Sequence, residues 1–333
     1  MKAARLVDVN APIVSLELDV PEIGTDEVLI KLHFAAINHR DLYISKGQYA
    51  RIKTPVTLGS DGCGVVVQIT NQKLNHLIGK EVLINPNEKW GDSELFQSKE
   101  YSILGMPTDG TFAEYLKVKV DRIHLKPAHL QSKEAAAVPL SGLTAFRALF
   151  AKGKLLKGER VLISGVGGGT ASMAFQFALA FGAEIVVTSS NEDKIKKAFK
   201  LGAIGGYLYS DEDWSKKLIQ EIGGIDLVID SAGGSRFSEF LHILNPGGRI
   251  VFYGGTRGKI DGLSPQIAFW KQISILGSTM GSDTDFIKML EFVTKYKVVP
   301  LIDSVFPLSQ INQAFQHIQD SKQFGKTILD CSE

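Results

Sequence analysis

The chain has 333 residues, 44% of them hydrophobic and 22% charged, and a formal net charge of +1. That length predicts two domains rather than one core, and the near-neutral balance implies neither a nucleic-acid partner nor an acidic surface. Two cysteines, Cys63 and Cys331, give no disulfide framework and no metal-ligand spacing, which fits a reducing, cytoplasmic setting. The opening MKAARLVDVN lacks the apolar centre of a signal peptide. The most apolar stretch, 171–188, is broken by Gln176, Gly182 and Glu184 and does not read as a membrane span.

In chain order, residues 1–120 read mostly as β-structure. Short runs of strand type are expected at Lys2–Val7, Ser15–Val20, Glu27–Phe34, Gly64–Ile69, Glu81–Asn85 and Phe112–Val118, with turn residues between them. From Ser132, with the look of a helix N-cap, the periodicity becomes helical, and Leu143–Phe150 continues it. Strands and helices then alternate: Val161–Ser164, a helix, Glu184–Thr188, Gly206–Tyr209, a helix Ser215–Ile222, Ile225–Asp230, a helix Phe237–Leu244, and Arg249–Gly254. That alternation predicts a doubly wound parallel sheet over 126–274. A strand Ile273–Met280, a helix Thr284–Tyr296, a run Val305–Leu308, a helix Ser309–Asp320 and a strand Thr327–Asp330 follow. This last segment is expected to return to the first domain, giving 1–125 with 275–333 as one domain and 126–274 as the other.

The stretch Arg160–Lys194 organises the rest. A short apolar strand runs into Gly165-Val-Gly-Gly-Gly169, and Ala171, Met173, Ala174, Phe177, Ala178 and Phe181 then recur at helical spacing up to Gly182. Strand, glycine turn, helix and strand make a dinucleotide-binding βαβ unit of ~30 residues. The helix begins at the glycines, so its unpaired N–H groups and the positive end of its dipole face a ligand, with no Cβ in the way. Gly167, Gly168, Gly169, Thr170 and Ala171 are the expected pyrophosphate cradle, although the best register has Val166 at the first glycine position.

The end of the second strand should meet the ribose. An NAD site usually places a carboxylate there for the 2′-OH; this chain has Ser189 and Ser190, with Lys194 just beyond. Hydroxyls and an ammonium suit a 2′-phosphate, so the expected cofactor is NADP(H). Glu192 and Asp193 are expected to face solvent. Ser231, Tyr253 and Gly254, at the ends of later strands, should line the same cleft.

Separated motifs then resemble the medium-chain dehydrogenase/reductase superfamily over essentially the whole chain: Ala35-Ala-Ile-Asn-His-Arg-Asp-Leu-Tyr43 with Gly47-Gln-Tyr49, Leu58–Val65, Asp109–Tyr115, Leu140–Ala145, Asn245–Arg249 and Phe324-Gly-Lys326. The resemblance is to the quinone oxidoreductase-like branch, close to proteins called zinc-type alcohol dehydrogenase-like. It implies a β-rich GroES-like catalytic domain beside a Rossmann domain, a nicotinamide cofactor, and commonly a homodimer built across the edge strand at Ile273–Met280. It further implies that Asn38, Tyr43 and Tyr49 lie at the chemistry, that His39 and Lys326 sit beside the pyrophosphate, that Thr144 lies by the nicotinamide, and that Tyr209 packs near the adenosine phosphate.

The departures bear on mechanism. Zinc-containing members carry Cys where this chain has Asn38 and His where it has Ser60, and the stretch Asn85–Gly110 has no Cys where a structural zinc lobe would fall. An amide and a hydroxyl are poor zinc ligands, so no metal is expected; the alternative is a site built from His39, Asp41 and Asp61. Asp41 reads as a structural hydrogen-bonder and Cys63 as a packing residue, and the other histidines are given no role. The expected activity is reduction of quinones, enones or related activated carbonyls by NADPH. The alternatives are a metal-free alcohol or aldehyde oxidoreductase and an NADPH-binding protein with little catalysis.

Overall fold

A computed structural model describes residues 1–332. The chain forms two compact units, one comprising Met1–Ser141 and the segment from Ser282 on, the other Gly142–Gly281.

The first unit opens with β1 (Lys2–Leu6), β2 (Val14–Glu17) and β3 (Glu27–Ala36), then helix α1 (His39–Ser45), β4 (Val56–Thr57), β5 (Asp61–Ile69) and β6 (Glu81–Ile84). Next come β7 (Asn87–Glu88), β8 (Ser102–Ile103), β9 (Tyr115–Lys119), β10 (Ile123–Leu125), α2 (Ser132–Ala136) and α3 (Pro139–Phe146). The second unit contributes β11 (Arg160–Ile163), α4 (Gly169–Phe181), β12 (Glu184–Ser189), α5 (Glu192–Lys200), β13 (Gly205–Leu208), α6 (Trp214–Glu221) and β14 (Ile225–Asp230). It ends with α7 (Phe240–Ile243), β15 (Leu244–Phe252), α8 (Pro265–Trp270) and β16 (Ser274–Gly277). The chain then returns to the first unit with α9 (Asp283–Tyr296), β17 (Ile302–Pro307), α10 (Ile311–Gln319) and β18 (Lys326–Asp330).

In the first unit the main sheet runs β10-β6-β5-β3-β18-β17, with β9 also on β3, and a smaller sheet runs β2-β1-β4. Inward residues such as Leu6, Ile30, Leu32, Leu58 and Phe112 fill its core. β5 and β3 approach so closely that a Cβ on Gly64 would lie 2.2 Å from the Lys31 carbonyl oxygen. Ala36 pairs with Asp61 on one side and with Ile328 on the other. This register puts the end of β3, the start of β5 and the start of β18 at one edge, where Asn38, Asp61 and Lys326 meet. Helix α2 packs on β3, β5 and β6, which ties the chain as far as Ser141 to this unit.

The second unit is a six-stranded sheet in the order β13-β12-β11-β14-β15-β16, every pair parallel. Counted from its own first strand this is 3-2-1-4-5-6, the dinucleotide-binding doubly wound order. Val161, Leu162, Ile163, Val186, Leu227, Val228, Ile250 and Val251 are fully buried, as strands covered on both faces require. Helix α4 starts after an extended Gly168 and stops at Gly182, which takes φ +93°.

Several local expectations change. Residues His39–Ser45 form a helix where none was expected, because Asp41 accepts the Asn38 backbone N–H at 2.8 Å and starts it. The N-cap of α2 is Gln131, whose N–H meets Glu134 Oε2 at 2.7 Å, while the Ser132 hydroxyl turns to Glu81. The helix expected at Leu143–Phe150 begins earlier, at Pro139, and widens to π geometry over Arg147–Lys152. Phe237–Leu244 is a 3-10 turn, Ser235–Glu239, followed by the short α7. The strand expected at Ile273–Met280 is confined to Ser274–Gly277, and Met280 takes a positive φ. No helix among the described residues is long and apolar enough to cross a membrane.

Candidate active site

In the first unit a polar network sits inside the protein. Lys326 Nζ donates to Asn38 Oδ1 at 2.6 Å, Asp61 Oδ2 at 3.1 Å and the Ile37 carbonyl at 3.1 Å. Asn38 Nδ2 donates to the same Asp61 Oδ2 at 2.9 Å, and Asp61 Oδ1 accepts the Leu140 N–H at 2.7 Å. The amide of Asn38 is thereby fixed in one sense. Its oxygen faces an ammonium and its nitrogen a carboxylate, and one amide N–H is not spent on any described residue.

A second cation lies alongside. Arg40 donates to Ser60 Oγ at 3.1 Å and to the carbonyls of Ile103, Leu104 and Met106 at 2.8–3.2 Å, and Ser60 Oγ itself donates to Leu104 O at 2.8 Å. Asp41 is fully buried, and its Oδ1 has no partner. Burial, opposed by the Arg40 charge, pushes its carboxyl up to about 6. His39 is exposed, yet desolvation by the protein around it and then the Lys326 charge lower its pKa from the usual imidazole value.

Of the expected proton donors, Tyr43 is half-buried, its ring centre 6.4 Å from that of His39, and burial raises its phenol pKa. Tyr49 is 37% exposed, and the Arg40 guanidinium carbon lies 5.2 Å from its ring centre. Lys326, expected at the pyrophosphate, directs its three donors at Asn38, Asp61 and Ile37 instead. Its role as the clamp on Asn38 has no short-range sequence signal, because Asp61 is 265 positions away.

In the second unit, Gly167 and Gly168 stand between β11 and α4, and Gly169, Thr170 and Ala171 are the first residues of α4. Gly168 N donates to Gly165 O at 3.1 Å, which folds the turn, and the space where a Gly165 Cβ would be is open. The first N–H groups of α4 have no intrahelical acceptor and point out of the turn. Ser189 is buried at the end of β12, where its Oγ accepts the Asn191 N–H at 3.2 Å, and Ser190 is exposed beside it. Lys194 is half-buried on the first turns of α5, whereas Glu192 and Asp193 are exposed. Tyr209 N donates to Ser189 O at 3.1 Å, joining the ends of β13 and β12.

Beyond β14, Asp230 accepts the Ser164 hydroxyl and the N–H groups of Ala232 at 3.1 Å and Gly233 at 2.8 Å, while burial raises its pKa. Tyr253 follows β15; burial and then the charge of Asp230 raise its pKa. A Cβ on Gly254 would lie 2.5 Å from the Ser231 carbonyl oxygen, so these two loops pack through glycine. Thr144 is buried, its hydroxyl 3.6 Å from Met280 Sδ.

Residues 24–128 match the family described as alcohol dehydrogenase GroES-like domain, and residues 169–295 match zinc-binding dehydrogenase. The zinc-type alcohol dehydrogenase-like protein YogA of Leptosphaeria maculans is 35% identical over 339 residues, covering 95% of this chain and 94% of that protein. The quinone oxidoreductase of Mus musculus is 29% identical over 99% of this chain and 97% of its own. A crystal structure titled NAD-dependent alcohol dehydrogenase superposes with a TM-score of 0.91 at 33% identity, with 99% of both chains covered. The chain belongs to the medium-chain dehydrogenase/reductase superfamily, as its motifs, its sheet order and these relatives agree. It is an oxidoreductase of that superfamily, with a GroES-like and a Rossmann-like part.

Proposed function

We propose that this protein is a zinc-independent, NADPH-dependent reductase of quinones, enones or related activated carbonyls. The observation that carries the reading is the Asn38–Lys326–Asp61 network. The donors there do not suit a zinc ion. Asn38 and Ser60 offer an amide and a hydroxyl, Asp61 is already paired with an ammonium, and Arg40 adds a second fixed positive charge at Ser60. Among the described residues no three His, Cys, Asp or Glu side chains are placed to hold a metal. The Asn38 amide N–H is instead presented as a preorganised donor, its oxygen held by Lys326 so that the group cannot turn over.

A donor of this kind stabilises charge developing on a carbonyl oxygen, the need of a conjugate reduction. NADPH, held by the glycine turn and the β12 end, supplies the hydride when bound. Asn38 binds the acceptor's oxygen as it becomes an enolate or hydroquinone anion. Tyr49 or Tyr43 then gives its hydroxyl proton to that anion and regains one from water. A second reading, oxidation of alcohols with NAD, is favoured by the name of the solved relative; against it, the Asp61 carboxylate beside Asn38 is already paired with the Lys326 ammonium rather than poised to take an alcohol's proton. Two copies of the chain pair across β16 in this proposal, forming a homodimer.

The test is NADPH oxidation by EDTA-treated protein with an ortho-quinone, an enone and a simple aldehyde, with NADH in parallel. Quinone or enone turnover that survives chelation and prefers NADPH supports the reading. Chelator-sensitive turnover, or alcohol-dependent NAD reduction as the faster reaction, would replace it with the second one.

A further inference from the structure

Outside the network around Asn38, one cation in the second unit has no assigned task. Arg257 lies in the loop after β15, its guanidinium carbon 4.3 Å from the centre of the Tyr209 ring. Its side chain makes no hydrogen bond and no ion pair among the described residues, and the residue is exposed.

The loop that carries it is fixed. Arg257 N donates to Ala232 O at 2.8 Å, Gly234 N to Gly258 O at 3.2 Å, and Gly258 N to Gly255 O at 3.0 Å. A Cβ on Gly234 would lie 2.8 Å from the Arg257 Cβ, and one on Gly233 would lie 3.1 Å from the Gly258 carbonyl oxygen. Gly233, Gly234 and Gly258 all take positive φ. Only glycine allows these two loops to lie so close, and their contact sets the root of the Arg257 side chain. Its tip is set by Tyr209, which is tied through its own N–H to the carbonyl of Ser189.

Arg257 is thus rooted at the β14–β15 end of the sheet, yet its head lies at the β13 end, beside the strand end that carries Ser189 and Ser190. Stacking consumes the face of a guanidinium and leaves its edge, with five N–H donors, free to fork onto a phosphate. A long cation fixed at both ends has also lost much of its rotamer freedom before any ligand arrives, which lowers the entropic cost of binding.

The geometry points to Arg257, stacked on Tyr209, as a ligand of the cofactor's 2′-phosphate and the residue that sets NADPH over NADH. This rests on the proposed NADPH reading and adds to it a residue from the far side of the sheet. Ser190 and Lys194 approach the phosphate from β12 and α5, and the Arg257 edge closes over it from the opposite loop.

The experiment measures Kd for NADPH, NADH, 2′,5′-ADP and 5′-AMP by calorimetry, for the wild type and for Arg257→Gln, Arg257→Lys and Tyr209→Phe. The wild type reports first on the underlying reading: a preference for NADH there would sink NADPH use and this proposal with it. Given an NADPH preference, Arg257→Gln is expected to weaken NADPH and 2′,5′-ADP by about 10- to 100-fold, the range for charge-assisted hydrogen bonds, and to leave NADH and 5′-AMP within about two-fold. Arg257→Lys should fall between, keeping charge without the fork, and Tyr209→Phe should cost NADPH less than Arg257→Gln does, because the stacking ring remains. An equal loss for both members of each pair, or no loss at all in Arg257→Gln, would overturn the assignment while leaving the NADPH reading intact.

Discussion

Lys326 Nζ lies 3.1 Å from Asp61 Oδ2, and the two side chains are 1% and 0% exposed. This is a buried ion pair that ties the first residue of β18 to the first residue of β5. Removing one member leaves the other charge buried and unpaired, a loss of about 3–5 kcal/mol. Lys326→Met should therefore lower unfolding stability in urea by that order, and Asp61→Asn by a similar amount. The double variant should recover a good part of the loss, because no lone charge remains. If the double variant is destabilised by the full sum of the two single losses, the pair is not coupled and Lys326 does not hold Asn38 through it.

Asp41 gives a pH dependence of definite sign. Its carboxyl titrates near 3.8 in an ordinary setting and is pushed up to about 6 by burial. Between those values the folded chain holds a proton that the unfolded chain has released, so stability falls as pH rises through that window. Above about pH 6 the ionised, half-unpartnered carboxylate costs the fold about 3 kcal/mol as an order of magnitude. Asp41→Asn keeps an acceptor for the Asn38 N–H and removes the charge. Its urea midpoint should lie above the wild type's at pH 8 and close to it at pH 4. A midpoint below the wild type's at pH 8 would mean that the carboxylate is stabilised by its neighbours.

The legibility of the chain follows the range of each interaction. The βαβ unit was readable because strand, glycine turn and helix are contiguous, and Gly182 and the buried run of α4 fall where periodicity put them. The parallel, doubly wound character of the second unit's sheet was readable from the alternation of strands and helices, whereas its strand order came from the structure. Helix α1 was hidden because its starting contact, Asp41 to the Asn38 N–H, lies within a motif that carries no helical periodicity. Asn38, Asp61 and Lys326 share no local pattern either, and what brings them together is the pairing of β3 with both β5 and β18. Arg257 was invisible for the same reason, since its partner Tyr209 follows β13, a strand at the other end of the sheet.

The two thiols should be silent in the native protein. Burial pushes Cys63 up to about 12, with Glu81 adding to it, and burial likewise raises Cys331; both are essentially inaccessible. A disulfide reagent at neutral pH attacks only thiolate that it can reach. Titration with such a reagent should count no thiol in native protein and two after denaturation in guanidinium. Rapid native labelling of one thiol would mean that β5 or the C-terminal strand opens locally, and the rate of that labelling would measure how often.

The free edge of the second unit bears on assembly. The six-stranded sheet ends at β16, where Ser274, Ile275 and Gly277 are exposed, and the adjacent helix α8 shows Trp270 at 83% and Phe269 at 66% exposure. An apolar edge strand beside two exposed aromatic rings invites pairing with another sheet, and a two-fold axis lets the same strand serve as its own partner. Light scattering behind a sizing column should then give a mass of twice 36.3 kDa. Ile275→Lys places a charge on each side of the axis, so the like charges face each other and the mass should fall to that of one chain, while the far-ultraviolet circular dichroism stays unchanged. Trp270→Ala should act in the same direction by removing apolar area, with dissociation shifted to higher dilution rather than complete. A dimer that survives both substitutions would place the interface on another face, and a wild type that elutes as a single chain at tens of micromolar would remove β16 pairing from the picture.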